Sequence, residues 1–317
     1  MRTNRTITLS VKPWHTIAAA LTVLAAPAFF VFEDVISGVV LLVAGLLAAW
    51  KADRGGCDIN ALPVAHGAER SSLAARPPSL LRDLSLIAIG LGIIRLIPLA
   101  AELDNWAMLR FTLALGGAVA VPYLISRFVY KDRATGFPWR GVNGERWGAL
   151  HWGWLAGVLV LGWLILPFYF IASGVYQNWP AVDTPELIAR LFVGVGAVGI
   201  WDELFFICTV FAVLVRHFPA WLANVLQTVV FVSFLWELGY RSWGPVLTIP
   251  FALMQGYIFL RTKSLGYVVT VHLLFDAVVF AVLVHAHHPH LFDIFPTAPG
   301  EGQDQPSSVA RRCTANT

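Results

Sequence analysis

The sequence predicts an all-α polytopic membrane protein with about nine transmembrane helices, the last of which form a helical bundle in the C-terminal part. Hydrophobic residues make up 57% of the 317 residues and charged residues only 13%, a composition that soluble globular domains do not show. Apolar runs long enough to cross a hydrocarbon core of roughly 30 Å recur along the chain, whereas a membrane β-barrel would show short alternating segments. The runs lie near residues 14–32, 35–50, 84–101, 106–126, 149–171, 187–215, 219–238, 246–260 and 264–285.

Charges between the runs predict how the chain is oriented in the membrane. Basic residues are concentrated before the first run and in the segments 51–83 and 127–148, whereas the intervening short connections carry acids. The positive-inside rule therefore places the N-terminus in the cytoplasm, and an odd number of spans places the C-terminus outside. The net charge of +3 lies mostly in these inner segments, where it attracts anionic lipid, so the sequence does not support nucleic-acid binding.

Composition also divides the chain into five parts. We expect a transmembrane hairpin over residues 1–50 and additional transmembrane helices with a loop over 84–148. Between them, residues 51–83 are rich in Gly, Ala, Ser, Arg and Pro and are predicted to be a cytoplasmic linker. Residues 149–285 form the membrane core that holds the candidate site, and residues 286–317 are predicted to be a disordered tail.

Two adjacent acids, Asp202 and Glu203, lie within the sixth apolar run. A carboxylate at that depth costs at least about 2–3 kcal/mol, so it persists only if it is paired, protonated or next to a wet cavity. Successive helix positions differ by about 100°, so the two side chains cannot point the same way. We expect one acid to carry the chemistry and the other to support it.

Three further ionisable residues follow in the C-terminal runs. His272 and Asp276 are four positions apart and share one helix face, where the acid can orient the imidazole or share a ligand with it. Glu237 lies near the outer end of the seventh run, so it reaches the other acids only if that helix is shifted inward or broken; otherwise it lines an entrance. Gln255 is interpreted only as a polar contact between helices.

These groups suit more than one chemistry. Peptide hydrolysis inside a membrane requires a trapped water, a base and a donor for the developing oxyanion. Glu203 and Glu237 would share one proton, as the paired carboxylates of aspartic proteases do. No cofactor is expected, but the four groups Glu203, Glu237, His272 and Asp276 would also suit a divalent metal such as zinc or iron, and the residues alone leave both alternatives open.

The order and spacing of these residues resemble the CPBP family of CAAX proteases and bacteriocin-processing enzymes, also called Abi, which are intramembrane glutamic proteases. The family's first motif, EExxxR, corresponds to Asp202-Glu203 followed by Ile207, and its third motif, HxxxN or HxxxD, to His272 and Asp276. The segment 260–265 is similar to the family's LRTxSL connection, and the resemblance covers roughly residues 187–285.

The resemblance implies roles, and the chain departs from the pattern at two points. Glu203 would activate the water, while His272 and Asp276 would hold that water or stabilise the oxyanion. Ile207 stands where the family has arginine. The second motif is degenerate, with Glu237 where histidine is expected and Ser233 where phenylalanine is expected, so no role carries over to Glu237. The family also implies a protein of the bacterial plasma membrane.

The function predicted is an intramembrane endopeptidase of the glutamic type that cleaves a membrane-associated or exported peptide, with lipid and a membrane-anchored substrate as partners. A non-catalytic CPBP-like membrane scaffold is the main alternative, favoured by Ile207 and by the missing histidine. A proton-coupled carrier that relays charge through the same acids ranks lower, because the sequence shows no internal repeat and no matched pair of broken helices.

Overall fold

The computed structural model describes residues 13–54, 78–141 and 147–298, and all regular secondary structure within these ranges is helical. Most of the predicted linker, and the tail beyond residue 298, lie outside the described residues. A short 3₁₀ turn, Val175–Asn178, precedes the sixth helix. The helices are α1 (Pro13–Phe30), α2 (Val35–Arg54), α3 (Leu80–Ile94), α4 (Asn105–Tyr130), α5 (Ala149–Ala172), α6 (Pro185–Leu214), α7 (Ala220–Leu238), α8 (Gly244–Thr262) and α9 (Leu265–His287).

These nine helices of the described ranges coincide with the nine predicted runs, so the predicted fold class is confirmed. Seven of them are long and apolar enough to cross a membrane; α3 and α8 fall outside that set. Helix α3 has 15 residues and is about 22 Å long, which is shorter than a hydrocarbon core of roughly 30 Å. The chain is therefore a polytopic helical membrane protein.

The N-terminal hairpin packs tightly and joins the rest of the bundle. A Cβ atom at Gly45 would collide with Thr22, and one at Gly38 would collide with Phe29, so both glycines allow α1 and α2 to approach closely. Helix α1 also packs along α7. The Asp53 carboxylate at the end of α2 accepts hydrogen bonds from the backbone N–H of Leu80 and from the Ser79 hydroxyl at the start of α3.

Helix α6 occupies the centre of the bundle and carries the two acids. It contacts α3, α4, α7, α8 and α9. Within its most apolar segment of 18 residues, 72% is buried. From Glu203 to Phe211 the backbone changes from α- to π-helical geometry, a rare form that is frequent at functional sites. The acids are therefore shielded from lipid on all sides by other helices.

The connection after α7 and the chain that follows α9 are also well defined. Helix α7 ends at Leu238, and Gly239 follows with φ 131°, a conformation that side chains other than glycine rarely adopt. The chain beyond α9 packs back on α5: the Trp163 indole N–H donates to the carbonyl oxygen of Ile294, and the Thr297 hydroxyl donates to that of Leu164. Residues 286–298 of the predicted tail thus form part of the folded bundle.

Candidate functional site

Glu203 and His272 meet in the centre of the bundle. The Oε1 atom of Glu203 lies 2.7 Å from Nδ1 of His272, and the Gln255 side-chain amide donates to the same oxygen at 2.7 Å. A carboxylate can only accept hydrogen bonds, so the imidazole donates from Nδ1. All three side chains are buried, and helices α6, α8 and α9 each contribute one of them.

Asp202 and Asp276 lie on the opposite edge of the imidazole. The Nε2 atom of His272 is 3.6 Å from Oδ2 of Asp202 and 3.8 Å from Oδ1 of Asp276. These distances are too long for direct hydrogen bonds, and such gaps between polar atoms commonly hold a bridging water. The structure thus brings four of the five residues predicted from the sequence to one place, with Asp202 and Glu203 on different sides of the ring.

A small cavity lies beside this second edge of the imidazole. Its volume is about 40 Å³, and Asp202, His272 and Asp276 supply charged groups to its wall, while Glu203 does not. The Oδ1 atom of Asp202 and the Oδ2 atom of Asp276 have no hydrogen-bond partner among the described residues. Since a water needs roughly 10–15 Å³ of such volume, the cavity has room for water beside these three side chains.

Aromatic rings close the site against lipid. Phe251 of α8 stands edge-on to the His272 ring with centroids 5.0 Å apart, and Phe231 of α7 lies 6.1 Å from it. At Gly199, a Cβ atom would collide with the Asp276 carboxylate, so the absence of a side chain allows α9 to place that acid against α6. The charged groups therefore lie in a largely apolar surrounding beside one small cavity, where electrostatic interactions are strong.

Glu237 does not join the site. Its Oε1 atom lies 3.1 Å from a guanidinium nitrogen of Arg95 and accepts a hydrogen bond from the backbone N–H of Leu99 at 3.3 Å. Because α7 ends one residue later, the side chain lies at the C-terminal end of the helix and ties it to the end of α3. The expectation that Glu237 shares a proton with Glu203 is wrong for this reason.

The residues at the two other departures from the family motifs, Ile207 and Ser233, make apolar contacts or a hydrogen bond within their own helix. Ile207 is 2% exposed and packs within the hydrophobic core of α6. Ser233, aligned with the second motif, donates its hydroxyl to the carbonyl oxygen of Val229 in its own helix. Where α7 approaches the imidazole it presents Phe231, so among the described residues this helix contributes no histidine to the site.

The sequence identifies Gln255 only as a polar contact between helices. It does make such a contact, and its partner is the Glu203 carboxylate. Its amide also donates to the carbonyl oxygen of Val268 at 3.2 Å. The only signal in the sequence was an amide within an apolar run, and amides there bond to many kinds of partner.

A metal ion remains a sequence prediction. Within the described residues, no group of three or more His, Cys, Asp or Glu side chains has an arrangement that could hold one. Glu237 is paired with Arg95, which removes one of the four expected donors. Nδ1 of His272 is engaged by Glu203, whereas Nε2 of the same ring has no direct hydrogen bond.

Residues 184–278 match the model of one family, described as Type II CAAX prenyl endopeptidase Rce1-like. This confirms the resemblance to the CPBP family over helices α6 to α9. Searches of the curated proteins and of the solved structures gave no significant match.

The Rce1-like region contains the whole site. Asp202, Glu203, Gln255, His272 and Asp276 all lie between residues 184 and 278, whereas α1 to α5 precede the region. The match supports a membrane peptidase at the level of the family. It also fits the membrane location that the apolar helices indicate.

Proposed function

We propose that the protein is an intramembrane endopeptidase that hydrolyses a peptide bond with a water held between Asp202, His272 and Asp276. The observation that carries this proposal is the cavity of about 40 Å³ whose wall contains these three side chains, with Nε2 of His272 3.6 Å from Asp202 and 3.8 Å from Asp276. The match of residues 184–278 to a peptidase family supports it independently of the geometry.

Asp202 and Glu203 have different tasks in this proposal. Glu203 accepts the hydrogen bond from Nδ1 of His272 and, together with Gln255, sets the orientation of the ring. Asp202 borders the cavity and accepts the proton of the attacking water. This division differs from the one that the family resemblance implies, in which Glu203 activates the water.

The reaction balances without another reactant. The water oxygen forms a bond to the peptide carbonyl carbon, and its proton passes to Asp202. Since carboxylates face both ring nitrogens, the site stabilises the imidazolium form of His272, which can donate from Nε2 to the oxyanion. The carbon–nitrogen bond then breaks as Asp202 returns the proton to the leaving amine, which leaves a carboxylic acid and an amine.

A second, larger cavity gives the substrate access from the lipid side. It measures about 310 Å³, lies between α4 and α6, and is lined mostly by apolar residues. It shares Trp179, Val195, Val198 and Leu238 with the wall of the small cavity. We infer that an extended segment of a membrane-anchored or exported peptide places a large apolar side chain here, next to the bond that is cleaved.

The proposal is tested with purified protein in lipid nanodiscs and a library of membrane-tethered peptides, with products identified by mass spectrometry. Asp202→Asn keeps the shape of the side chain but removes the base, so turnover is expected to fall by about 10²–10⁴-fold. Glu237→Gln is the matched control, because it neutralises another acid of the same bundle outside the site. Absence of any cleavage by the wild type, or full turnover by Asp202→Asn, would refute the proposal.

A non-catalytic scaffold is the second candidate, and the contacts of α7 favour it. This helix brings Phe231 to the imidazole where the family motif has a histidine, and Ile207 is buried among apolar residues. A Glu203→Gln/His272→Ala double variant that fully restores a deletion strain would select the scaffold. Loss of complementation at unchanged protein abundance would select the peptidase.

A further inference from the structure

A tyrosine that belongs to none of the family motifs lines the small cavity. Tyr240 follows the end of α7, where Gly239 with φ 131° turns the chain back and the Tyr240 backbone N–H donates to the carbonyl oxygen of Leu235 at 2.9 Å. This turn points the residue into the bundle, so its side chain shares the cavity wall with Asp202 and Asp276. Only 7% of its surface is exposed.

The position of the ring is fixed by packing on several sides. The centroid of the Tyr240 ring lies 5.3 Å from that of Trp179, edge-on at 88°, and 5.7 Å from that of Phe170. The loop is also anchored by hydrogen bonds, because the Tyr169 hydroxyl donates to the carbonyl oxygen of Arg241 at 2.8 Å. The phenol is thus held before a substrate arrives, as a preorganised donor must be.

The hydroxyl of Tyr240 has no hydrogen-bond partner within the described ranges, although the ring around it is fully packed. Tyrosine hydroxyls in protein interiors usually find a partner, so this one is available to a group that enters the cavity beside it. Burial raises the pKa of the Tyr240 phenol well above its ordinary value, and the nearby carboxylates of Asp276 and Asp202 raise it further. The hydroxyl therefore keeps its proton at neutral pH and can act as a donor.

We propose that Tyr240 is a catalytic residue, whose hydroxyl donates a hydrogen bond to the oxyanion that forms on the peptide carbonyl oxygen. This rests on the proposed peptidase function. The oxyanion needs donors besides Nε2 of His272, and α7 offers only Phe231 at the point where it approaches the imidazole. The proton stays on the phenol throughout, so the hydrogen bond adds no step to the balance of the reaction.

The decisive variant is Tyr240→Phe, which keeps the ring packed on Trp179 and removes only the hydroxyl. Loss of one oxyanion donor typically lowers kcat by about 10²–10³-fold, and we expect a fall of that order with KM changed less than about twofold. A peptidyl phosphonate, which carries the tetrahedral oxyanion, should lose affinity by a similar factor. The affinity for a cleaved product peptide should stay the same.

Tyr169→Phe is the matched control for packing. It removes a hydroxyl that anchors the same loop but is not part of the cavity wall. Turnover is expected to stay within about threefold of the wild type, since no donor to the oxyanion is lost.

The outcomes separate this proposal from the peptidase proposal. If the wild type cleaves peptides and Tyr240→Phe is equally active, the role of Tyr240 alone is overturned. The same holds if Tyr240→Phe changes only KM, or if Tyr169→Phe loses as much kcat as Tyr240→Phe. A wild type that cleaves no peptide overturns both. If Tyr240→Phe fails to fold, 3,5-difluorotyrosine at position 240 tests the same hydrogen bond, because fluorination lowers the pKa of the phenol. The loss of kcat at alkaline pH should then begin at lower pH than in the wild type. An unchanged pH profile of kcat contradicts the proposal.

Discussion

Nδ1 of His272 lies 2.7 Å from Oε1 of Glu203, on the edge of the imidazole opposite Asp202 and Asp276. Three acids thus surround one histidine, and only two of them border the water-sized cavity. Their separation distinguishes a group that meets the substrate from a group that orients the histidine. It also makes the two adjacent acids of α6 experimentally distinguishable.

Neutralising Glu203 should cost less than neutralising Asp202. Glu203→Gln keeps an acceptor for Nδ1 but removes the charge behind the ring, and loss of such an orienting partner typically costs about 10–100-fold. Loss of the base in Asp202→Asn is expected to reduce kcat by about 10²–10⁴-fold. Steady-state kinetics on one cleaved peptide measures both. A larger loss in Glu203→Gln would instead assign the activation of water to Glu203.

Gln255 should affect both stability and the orientation of the site. Gln255→Leu leaves the buried Glu203 carboxylate with one donor fewer, which should destabilise the fold by about 1–3 kcal/mol and lower kcat several-fold. Gln227→Leu is the control, because Gln227 is also a buried amide but donates to the carbonyl oxygen of Ala252 rather than to the acid. The unfolding temperature and kcat should both fall in Gln255→Leu, whereas only the unfolding temperature should fall in Gln227→Leu.

Filling the larger cavity should change substrate preference. Gly116 and Gly194 line it, and a Cβ atom at either position meets nothing within 4 Å, so leucine fits there without displacing the backbone. Gly194→Leu is expected to raise KM for peptides with a large apolar residue beside the cleaved bond, and to spare those with alanine. Gly153→Leu on the exposed face of α5 is the control. Equal effects on both peptides would contradict access through this cavity.

The pair of Arg95 and Glu237 should matter for stability rather than for turnover. Their charged atoms are 3.1 Å apart and mostly buried, so removing one partner leaves the other charge poorly compensated, at a cost of about 1–3 kcal/mol. Glu237→Gln and Arg95→Met should each lower the unfolding temperature at nearly unchanged kcat. The double variant should lose less than the sum of both, and strict additivity would show that the two side chains do not interact.

The helices could be predicted, and so could candidate residues of which four lie together in the bundle, because each depends on a short-range pattern. Apolar length locates a membrane helix, and a spacing of four places His272 and Asp276 on one face. The role of Glu237 could not be predicted, because it depends on how far α7 is displaced along the membrane normal relative to α3. That displacement places Arg95 beside the acid, and it is set by packing between distant segments.

Gln255 and Tyr240 show a second limit of the sequence. An amide in an apolar run indicates a polar partner, but only the three-dimensional packing shows that the partner of Gln255 is an acid from α6. Tyr240 belongs to a loop whose path depends on the turn at Gly239 and on the ring of Trp179. Neither residue stands at a spacing that relates it to the acids.

The π-helical stretch from Glu203 to Phe211 gives α6 two independent halves. A π-helical turn holds more residues than an α-helical turn. Side chains after the stretch therefore point in directions that differ from those in an uninterrupted α-helix. The half before the stretch places Asp202 at the cavity, while the stretch itself buries Phe205, Phe206 and Phe211 in the core. Deleting a single residue within this stretch would make α6 one continuous α-helix. The acids and the phenylalanines would then point toward the same side of the helix.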